Sequence, residues 1–202
     1  MIAILDYGIG NIASIKNMLL KAGAEEIEFA DNSETLKKAD QIILPGVGAY
    51  DTGMKLLNNS GMREELDRQV LSNKKPILGI CLGMQMLGKS SEEGVLDGLG
   101  YLDFVCKKFK ADSKIVKTPH MGWDYVVMNQ KHKMISGMEK DTRFYFVHSY
   151  YAVCANNNDV LLWCEYGIRF AAAVGRENIV GTQFHPEKSH MFGLHLMKNF
   201  VN

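Results

Sequence analysis

The amino-acid sequence predicts an α/β fold: an open, mostly parallel sheet with helices on both faces, extended by antiparallel strands. Three observations support this prediction. Short apolar runs alternate with helical stretches through the first half of the chain, a pattern typical of parallel sheets. Strand-like runs then follow one another with few helices between them, which favours antiparallel hairpins. No Pro-, Ser- or charge-rich linker interrupts the 202 residues, so we expect one domain spanning 1–202.

The first half predicts repeated strand-and-helix units. The first strand covers Met1 to Leu5, and the next helix follows Asn11, a capping residue, and stops at Gly23. The other elements expected in this half are a helix opened by Ser33, two helices within 51–73, and strands at 26–30, 41–44 and 76–80.

The second half predicts strands and one closing helix. The helix covers about Ser189 to Val201, and the polar cluster Asn156 to Asp159 is typical of a hairpin turn. Strand-like runs lie near 99–109, 123–128, 143–147, 151–154, 160–164, 169–174 and 178–183.

Charge balance argues against nucleic-acid and membrane partners. The 23 Lys and Arg residues match the 23 Asp and Glu residues, whereas phosphate backbones select a basic excess or patch. No apolar run approaches the roughly 20 residues that cross a bilayer. The start, MIAILDYG, lacks the basic residues of a signal peptide. We therefore expect a cytoplasmic protein.

Cysteine and histidine spacing predicts free thiols and no metal or cofactor. The four cysteines include no C-x-x-C pair, and the six histidines include no pair spaced i, i+4. The loop DYGIGN at 6–11 lacks the third glycine and the downstream acid of a dinucleotide fingerprint. Any chemistry must therefore come from side chains.

The segment Gly79-Ile80-Cys81-Leu82-Gly83 matches a nucleophile elbow with sulfur in place of oxygen. It follows an apolar strand, and its glycines leave room for a tight strand-to-helix turn. A cysteine at a helix amino terminus meets unpaired N–H groups that favour the thiolate over the thiol. Alternatively, Cys81 only packs between sheet and helix, since free cysteines are often buried.

The tripeptide His185-Pro186-Glu187 places an imidazole close to a carboxylate. In an extended, proline-stiffened tripeptide, residues i and i+2 lie on the same side. Glu187 can then orient the His185 ring while the other ring nitrogen faces Cys81. Both motifs follow strands, and the carboxyl ends of strands line the ligand crevice of open α/β sheets. Alternatively, the tripeptide is a surface loop with a helix-capping acid.

The loop LPGVGAY at 44–50 also follows a buried strand. One proline and two glycines allow its backbone amides to point into a cleft, as an oxyanion hole requires. A strand-to-helix turn without a catalytic role would have the same composition, so the spacing alone leaves both interpretations open.

Three motifs together resemble those of the class I, triad-type glutamine amidotransferases: GICLGMQ (79–85), LPGVGAY (44–50) and QFHPEKS (183–189). Three more resemble the glutaminase subunits of imidazole glycerol phosphate synthase: DYGIGN (6–11), PHMGWD (119–124) and FYFVHSYY (144–151). The resemblance implies a flavodoxin-like amidotransferase fold, L-glutamine as substrate and no cofactor. It also implies a heterodimer with a (β/α)₈ barrel cyclase/synthase subunit in histidine biosynthesis.

The resemblance assigns a role to each residue of the implied triad. Cys81 would attack the glutamine amide, forming a thioester and releasing ammonia. His185 would protonate the leaving nitrogen and later activate water, while Glu187 orients His185. The backbone amides of Val47 and Leu82 would donate to the oxyanion.

The same resemblance implies a substrate site and a partner surface. Glutamine would be bound around Gly48, Gln85, Glu93, Ser149 and Tyr150, with Glu93 holding the α-amino group. The implied partner surface includes loop and strand residues: Asn11, Pro119, His120, Met121, Gly122, Trp123, Tyr145 and Lys188.

The glycine-rich PGVG loop at 45–48 predicts control by the partner. Ammonia is mostly ammonium at neutral pH and is then not a nucleophile, so hydrolysing glutamine without an acceptor wastes it. We expect low activity in the isolated chain. Activity would rise through reorientation of the Gly46–Val47 peptide when the partner binds its ligand.

Three residues differ from the pattern usual in that glutaminase subunit: Gly88, Lys89 and Asp124. The run HPEKSHMFG is also similar to paralogues that supply ammonia for amidating bacterial nucleotide sugars in surface polysaccharides. These features leave the acceptor open between the two pathways. A stand-alone thiol hydrolase or peptidase, which would accept amides other than glutamine, is the alternative from another class.

Overall fold

Strands and helices alternate through the first half of the chain, as the sequence predicts. The computed structural model describes residues 1–110 and 117–202. The elements of this half are β1 (Ile2–Leu5), α1 (Ile12–Ala22), β2 (Ile27–Ala30), α2 (Ser33–Lys38), β3 (Gln41–Leu44), α3 (Tyr50–Asn59), α4 (Arg63–Asp67) and β4 (Ile77–Ile80). The predicted helical region 51–73 divides into α3, α4 and a π-helical turn over Arg68–Ser72.

The second half consists mainly of strands, and each of the seven predicted strand regions contains one. The elements are α5 (Leu82–Met86), β5 (Ser90–Ser91), β6 (Phe104–Lys108), β7 (His120–Met128), β8 (Arg143–His148), β9 (Tyr150–Cys154), β10 (Val160–Tyr166), β11 (Ile168–Arg176), β12 (Ile179–Thr182) and α6 (His190–Val201). The predicted turn at 156–159 contains a short 3₁₀ helix, Asn157–Asp159.

One mixed sheet joins strands from both halves in the order β2-β1-β3-β4-β12-β11-β10-β7-β8. The five strands from β2 to β12 pair in parallel. The pairings from β12 onward to β8 are antiparallel, and β9 attaches β6 and β5 to β11. The predicted α/β architecture, a parallel sheet with an antiparallel extension, is confirmed.

The position of β12 in the sheet brings residues that are far apart in the sequence close together. This strand comes from near the carboxyl terminus, yet it pairs in parallel with β4, with Thr182 opposite Ile80. Parallel neighbours end at the same edge of a sheet. Cys81 and Gln183, which are 102 positions apart in the chain, therefore both lie at this edge.

Helices cover both faces of the parallel strands, because alternate strand residues face opposite layers. In β1, Ala3 and Leu5 belong to one buried cluster, together with Met54 of α3. Ile2 and Ile4 belong to the other, together with residues of α1 and α6 such as Leu19 and Leu196. Within the described residues, no helix has the length and apolar character needed to cross a membrane.

Two sequence predictions need correction in detail. Asn11 precedes α1, but its side chain makes no capping hydrogen bond, because its backbone is not in the extended conformation that aims a cap side chain at the helix. The strand predicted from 99 onward begins only at Phe104. The residues before it form a loop in which the Leu102 N–H donates to the Leu87 carbonyl rather than to a neighbouring strand.

The turn between β4 and α5 is packed so closely that it requires glycine. A Cβ atom at Gly83 would overlap the backbone carbonyl oxygen of Leu44, and one at Gly79 would lie 2.8 Å from the Gly83 oxygen. Backbone atoms cannot move aside as the end of a flexible side chain can. The sharp turn at Cys81 therefore depends on both glycines.

We predict that Gly83→Ala destabilises the protein by at least about 3 kcal/mol, because the added methyl group overpacks against backbone. Gly61→Ala is the matched control, since nothing lies within 4 Å of its Cβ position and only its φ of +74° is unfavourable. The control should cost about 1 kcal/mol. Urea unfolding measures both variants, and equal losses would contradict the packing argument.

Candidate active site

Cys81 lies at the turn after β4 in a backbone conformation that side chains rarely adopt. Its φ is +54° and its ψ is −108°, and strained residues of this kind cluster at functional sites. The Cys81 N–H donates to the Thr182 carbonyl over 2.8 Å, which ties the turn to β12. The side chain is only 7% exposed. The geometry is that of the predicted nucleophile elbow.

His185 and Glu187 follow β12 and form the predicted pair. His185 Nδ1 lies 2.8 Å from Glu187 Oε1, and both side chains are at most 2% exposed. The His185 N–H donates to the Tyr145 carbonyl, which fixes the backbone of the histidine against β8. Because β12 neighbours β4, the ring faces the same cavity as Cys81. The structure thus brings all three predicted catalytic residues together.

The electrostatics of the site favour a protonated His185. Burial alone would lower the pKa of this imidazole, but hydrogen bonds and charge interactions with Cys81 and Glu187 outweigh burial and raise the pKa to about 9. The proton is therefore held at neutral pH and is lost as the pH rises through about 9. An imidazolium beside the sulfur can donate a proton to a leaving group.

A cavity of about 370 Å³ opens at this edge of the sheet, large enough for a small amino acid. Cys81 and His185 line it. So do all five residues for which the resemblance implies substrate binding: Gly48, Gln85, Glu93, Ser149 and Tyr150.

One predicted oxyanion donor is occupied by the protein itself. The Leu82 N–H donates to the Gly46 carbonyl oxygen at 3.3 Å, so the Gly46–Val47 peptide presents its carbonyl where an oxyanion would bind. Val47 is 41% exposed at the mouth of the cavity. In this arrangement the predicted oxyanion hole is not formed. Rotation of the Gly46–Val47 peptide would free the Leu82 N–H and point the Val47 N–H into the cavity.

Glu93 supplies a carboxylate at the rim of the cavity. Its Oε2 accepts a hydrogen bond from the Tyr50 N–H at 3.0 Å, which ties the loop after β5 to the start of α3. Partial burial raises the pKa of Glu93, and the Tyr50 hydrogen bond opposes that rise. A carboxylate held here is suited to an ammonium group of a bound ligand.

Gln183 is a site residue that the sequence reasoning missed. Its side chain is fully buried, and its Nε2 lies 3.9 Å from Cys81 Sγ. Gln183 Oε1 accepts from Gln85 Nε2 at 3.0 Å. It is the first residue after β12, so its position two residues before His185 was the available signal.

The predicted partner residues form an exposed face beside the cavity, with one exception. Met121 is 61% exposed and Trp123 is 40% exposed, and Lys188 Nζ lies 5.9 Å from the Tyr145 ring. His120 differs from the expectation, because its side chain is 1% exposed and faces the core. Alternate residues of β7 face opposite sides, so a strand that exposes Met121 buries His120.

The other predicted partner residues also border this face, in loop and strand positions. Asn11 and Pro119 are exposed, and Gly122 is partly exposed. The loop that contains Asn11 packs against the Gly46 segment, since a Cβ atom at Gly10 would lie 2.8 Å from Pro45 Cβ. The Gly10 loop therefore contacts the backbone segment whose Gly46 carbonyl accepts from the Leu82 N–H.

The unusual residues Gly88 and Lys89 have a local explanation. A side chain at Gly88 would overlap the Phe104 ring, so this aromatic residue from β6 fills the space instead. Lys89 pairs with Asp103 at 2.6 Å. Both contacts involve the segment next to β6 and none of the catalytic side chains.

The cysteine thiols and the potential metal ligands of the described residues form neither disulfides nor a metal-binding cluster. All four cysteines lie in the described part of the chain and are free, as predicted. In residues 1–110 and 117–202, no three His, Cys, Asp or Glu side chains cluster as metal ligands would.

We predict that Cys81→Ala lowers the pKa of His185 below about 9, because the hydrogen bond and the charge interaction with the sulfur both raise it. NMR titration of the imidazole measures the change. Cys154→Ala is the control, since Cys154 lies on β9 away from the cavity, and should leave the His185 pKa unchanged. An unaltered pKa in Cys81→Ala would show that the sulfur does not contact the ring.

Comparison with known proteins agrees with this geometry. The model of the family "Glutamine amidotransferase class-I" matches residues 3–202. The chain is 50% identical, over 100% of its length and 98% of the relative, to "Imidazole glycerol phosphate synthase subunit HisH 2" of Pseudomonas aeruginosa. It is 44% identical, over the full length of both chains, to "Imidazole glycerol phosphate synthase subunit HisH" of Leptospira interrogans.

Solved structures resemble it in fold. The crystal structure of a glutamine amidotransferase gives a TM-score of 0.75 at 19% identity, covering 99% of this chain and 97% of the other. The structure of PurLQS from Thermotoga maritima gives a TM-score of 0.72 at 20% identity, covering 98% and 94%. From the family match and the full-length relatives together, the chain belongs to the class I glutamine amidotransferases.

Proposed function

We propose that this protein is the glutaminase subunit of an imidazole glycerol phosphate synthase, hydrolysing glutamine and passing the ammonia to a synthase subunit. The observation that carries the proposal is that Cys81 and His185 line one cavity of about 370 Å³ while Glu187 contacts the His185 ring from behind. The names of the full-length relatives support the choice of pathway. The catalytic roles of these residues are those that the family resemblance implies, and the geometry of the site is compatible with them.

In the first half-reaction, Cys81 attacks the side-chain amide carbon of glutamine as a thiolate. His185, which carries a proton at neutral pH, gives it to the leaving nitrogen, so that ammonia departs and a thioester remains. Glu187 stabilises the imidazolium and fixes its orientation through the 2.8 Å contact.

In the second half-reaction, neutral His185 takes a proton from water, which attacks the thioester carbon. Cys81 leaves as a thiolate, and glutamate is the product. This returns the proton to His185 and the site to its starting state, so no cofactor takes part. The donors at Val47 and Leu82 would stabilise both tetrahedral intermediates.

Ammonia must reach its acceptor without becoming ammonium, which favours direct transfer into a partner. The exposed side chains Met121 and Trp123 lie on β7 next to the cavity, and Pro119 and Lys188 line its mouth. We infer that a (β/α)₈ barrel synthase subunit docks over this face as a heterodimer. We propose a cytoplasmic location, where thiols such as Cys81 stay reduced.

Glutamine hydrolysis without the partner is restrained by the Gly46 carbonyl. As long as the Leu82 N–H donates to Gly46, an oxyanion at Cys81 lacks its donors. Partner contacts at the Asn11 loop or at the mouth of the cavity would favour the turned-over peptide. The single peptide between Gly46 and Val47 is thus the proposed switch.

We predict that Cys81→Ala lowers the rate of glutamine-dependent synthesis about 10⁴-fold or more, because the variant lacks the nucleophile. The complex of this variant with its partner should still use added ammonium salts, because the acceptor site is intact. Cys154→Ala is the control and should retain glutamine-dependent synthesis. Retained synthesis from glutamine in Cys81→Ala would refute the nucleophile assignment.

The same assay identifies the acceptor and the reaction class. Supplying the phosphorylated histidine-pathway acceptor or a nucleotide sugar to the complex separates the two pathways. Ammonia release from a panel of amides tests the alternative of a general thiol hydrolase, which would turn over amides other than glutamine without a partner.

We further predict that the isolated chain hydrolyses glutamine about 10²–10³-fold more slowly than the complex with ligand-bound partner, which is the effect of losing oxyanion-hole donors. Steady-state ammonia release with and without the partner measures the ratio. Equal rates would contradict the proposed role of the Gly46–Val47 peptide.

A further inference from the structure

A chain of short polar contacts crosses the protein from β7 to the active site. Asp124 Oδ2 lies 2.7 Å from His120 Nε2, and His120 Nδ1 lies 3.0 Å from His148 Nε2. His148 Nδ1 then lies 2.8 Å from the carbonyl oxygen of Tyr150. His148 and Tyr150 line the cavity, whereas the Asp124 side chain is 35% exposed on the far side.

The Tyr150 carbonyl oxygen links these contacts to the residues that surround Cys81. The same oxygen accepts a second hydrogen bond from Gln85 Nε2 at 3.1 Å. Gln85 Nε2 also donates to Gln183 Oε1, and Gln183 Nε2 faces Cys81 Sγ. The contacts therefore run without a break from Asp124 to the nucleophile.

The groups at the two ends of this series of contacts, the Asp124 carboxylate and the Tyr150 carbonyl, determine how many protons the two histidine rings must carry. A carbonyl oxygen and an ionised carboxylate only accept hydrogen bonds, so His148 Nδ1 and His120 Nε2 must both carry hydrogen. The contact between the two rings needs a third hydrogen. Two neutral imidazoles carry only two hydrogens on nitrogen, so the three contacts require one extra proton, which balances the charge of Asp124.

We propose that Asp124 and His120 are positioning residues of the glutaminase site, which hold this extra proton and thereby keep the Tyr150 carbonyl in place through His148. The inference rests on the proposed glutaminase function. If the proton is lost, two lone pairs face each other somewhere along the chain and one of the three hydrogen bonds breaks. The Tyr150 segment then loses a support at the substrate cavity.

The surroundings place the extra proton on His120. The ring is stacked between Tyr166, at 3.9 Å between centroids, and Phe146, at 4.8 Å, and aromatic faces attract a cation. Burial is the largest effect and lowers the pKa of His120, and the hydrogen bond and charge of Asp124 offset only part of it, so the proton is held on the acidic side of the ordinary imidazole range. Burial lowers the pKa of His148 to about 3, although its hydrogen bond to Tyr150 opposes the effect, so this ring stays neutral.

Other titratable groups lie around the pair in the described part of the chain. The charge of His185, in the segment after β12, acts on His148 and disfavours a proton there. On β10, the Tyr166 phenol ring covers His120, and the Cys164 thiol lies near Asp124, whose charge contributes to the raised pKa of that thiol. Asp124 is the group whose charge and hydrogen bond favour the proton on His120.

The variant Asp124→Asn tests the proposal with no change in side-chain shape. An asparagine amide can donate to His120 Nε2, which lets all three contacts form with both rings neutral. Glu139→Gln removes the same charge from an exposed position and is the control. Nitrogen-15 NMR of the histidine rings, between about pH 5 and pH 8, reports the protons directly.

We predict that, within the His120–His148 pair of wild type and Glu139→Gln, His120 alone has both nitrogens protonated at the acidic end of this range. In Asp124→Asn, both rings of the pair should stay neutral throughout. The proposal would be overturned if His120 and His148 were both neutral in the wild type at every pH, or if His120 titrated in Asp124→Asn as it does in the wild type. This measurement does not depend on glutamine turnover, so failure of the glutaminase function would be recognised separately.

The positioning role has its own readout in the complex with the synthase partner. In the wild type, the KM for glutamine should rise about three- to tenfold as the pair loses its proton, the range expected for one hydrogen bond. The KM of Asp124→Asn should not vary with pH, and kcat should be spared in both. The pKa of His185 is raised to about 9, above this pH range, so its titration does not account for the change in KM. A KM independent of pH in the wild type would refute the role.

Discussion

The active site depends on the parallel pairing of β4 with β12. Backbone hydrogen bonds hold these strands in a register that places Thr182 opposite Ile80, and the Cys81 N–H extends the ladder by donating to Thr182. A shift of one residue would turn the side chains of one strand to the opposite face. Cys81 and His185 would then no longer share a cavity.

Close backbone packing joins the turn at Cys81 to the PGVG loop at this edge of the sheet. Gly83 lies against the Leu44 carbonyl, and Gly46 lies against Gly83, so the elbow and the PGVG loop fit together without side chains between them. The same proximity lets the Gly46 carbonyl accept from Leu82. In the proposed switch, this peptide would reorient while the closely packed turn at Cys81 stays in place.

Much of the site was predictable because its residues are contiguous in the chain. The elbow around Cys81 and the pair His185–Glu187 each carry their geometry in a few neighbouring residues, and the structure agrees with both. The inward orientation of His120 and the role of Gln183 were not predicted. Each depends on which face of a strand meets the core and on contacts with residues far away in the chain.

The sequence by itself determined the alternation of strands and helices, the elbow and the family, because these follow from local spacing and short motifs. Only the tertiary structure decided that β12 inserts beside β4 and that the Gly46 carbonyl accepts from the Leu82 N–H. It also decided that Asp124, His120 and His148 form one chain of contacts. The physical reason is that strand order and buried hydrogen bonds join residues distant in the chain, which no local pattern specifies.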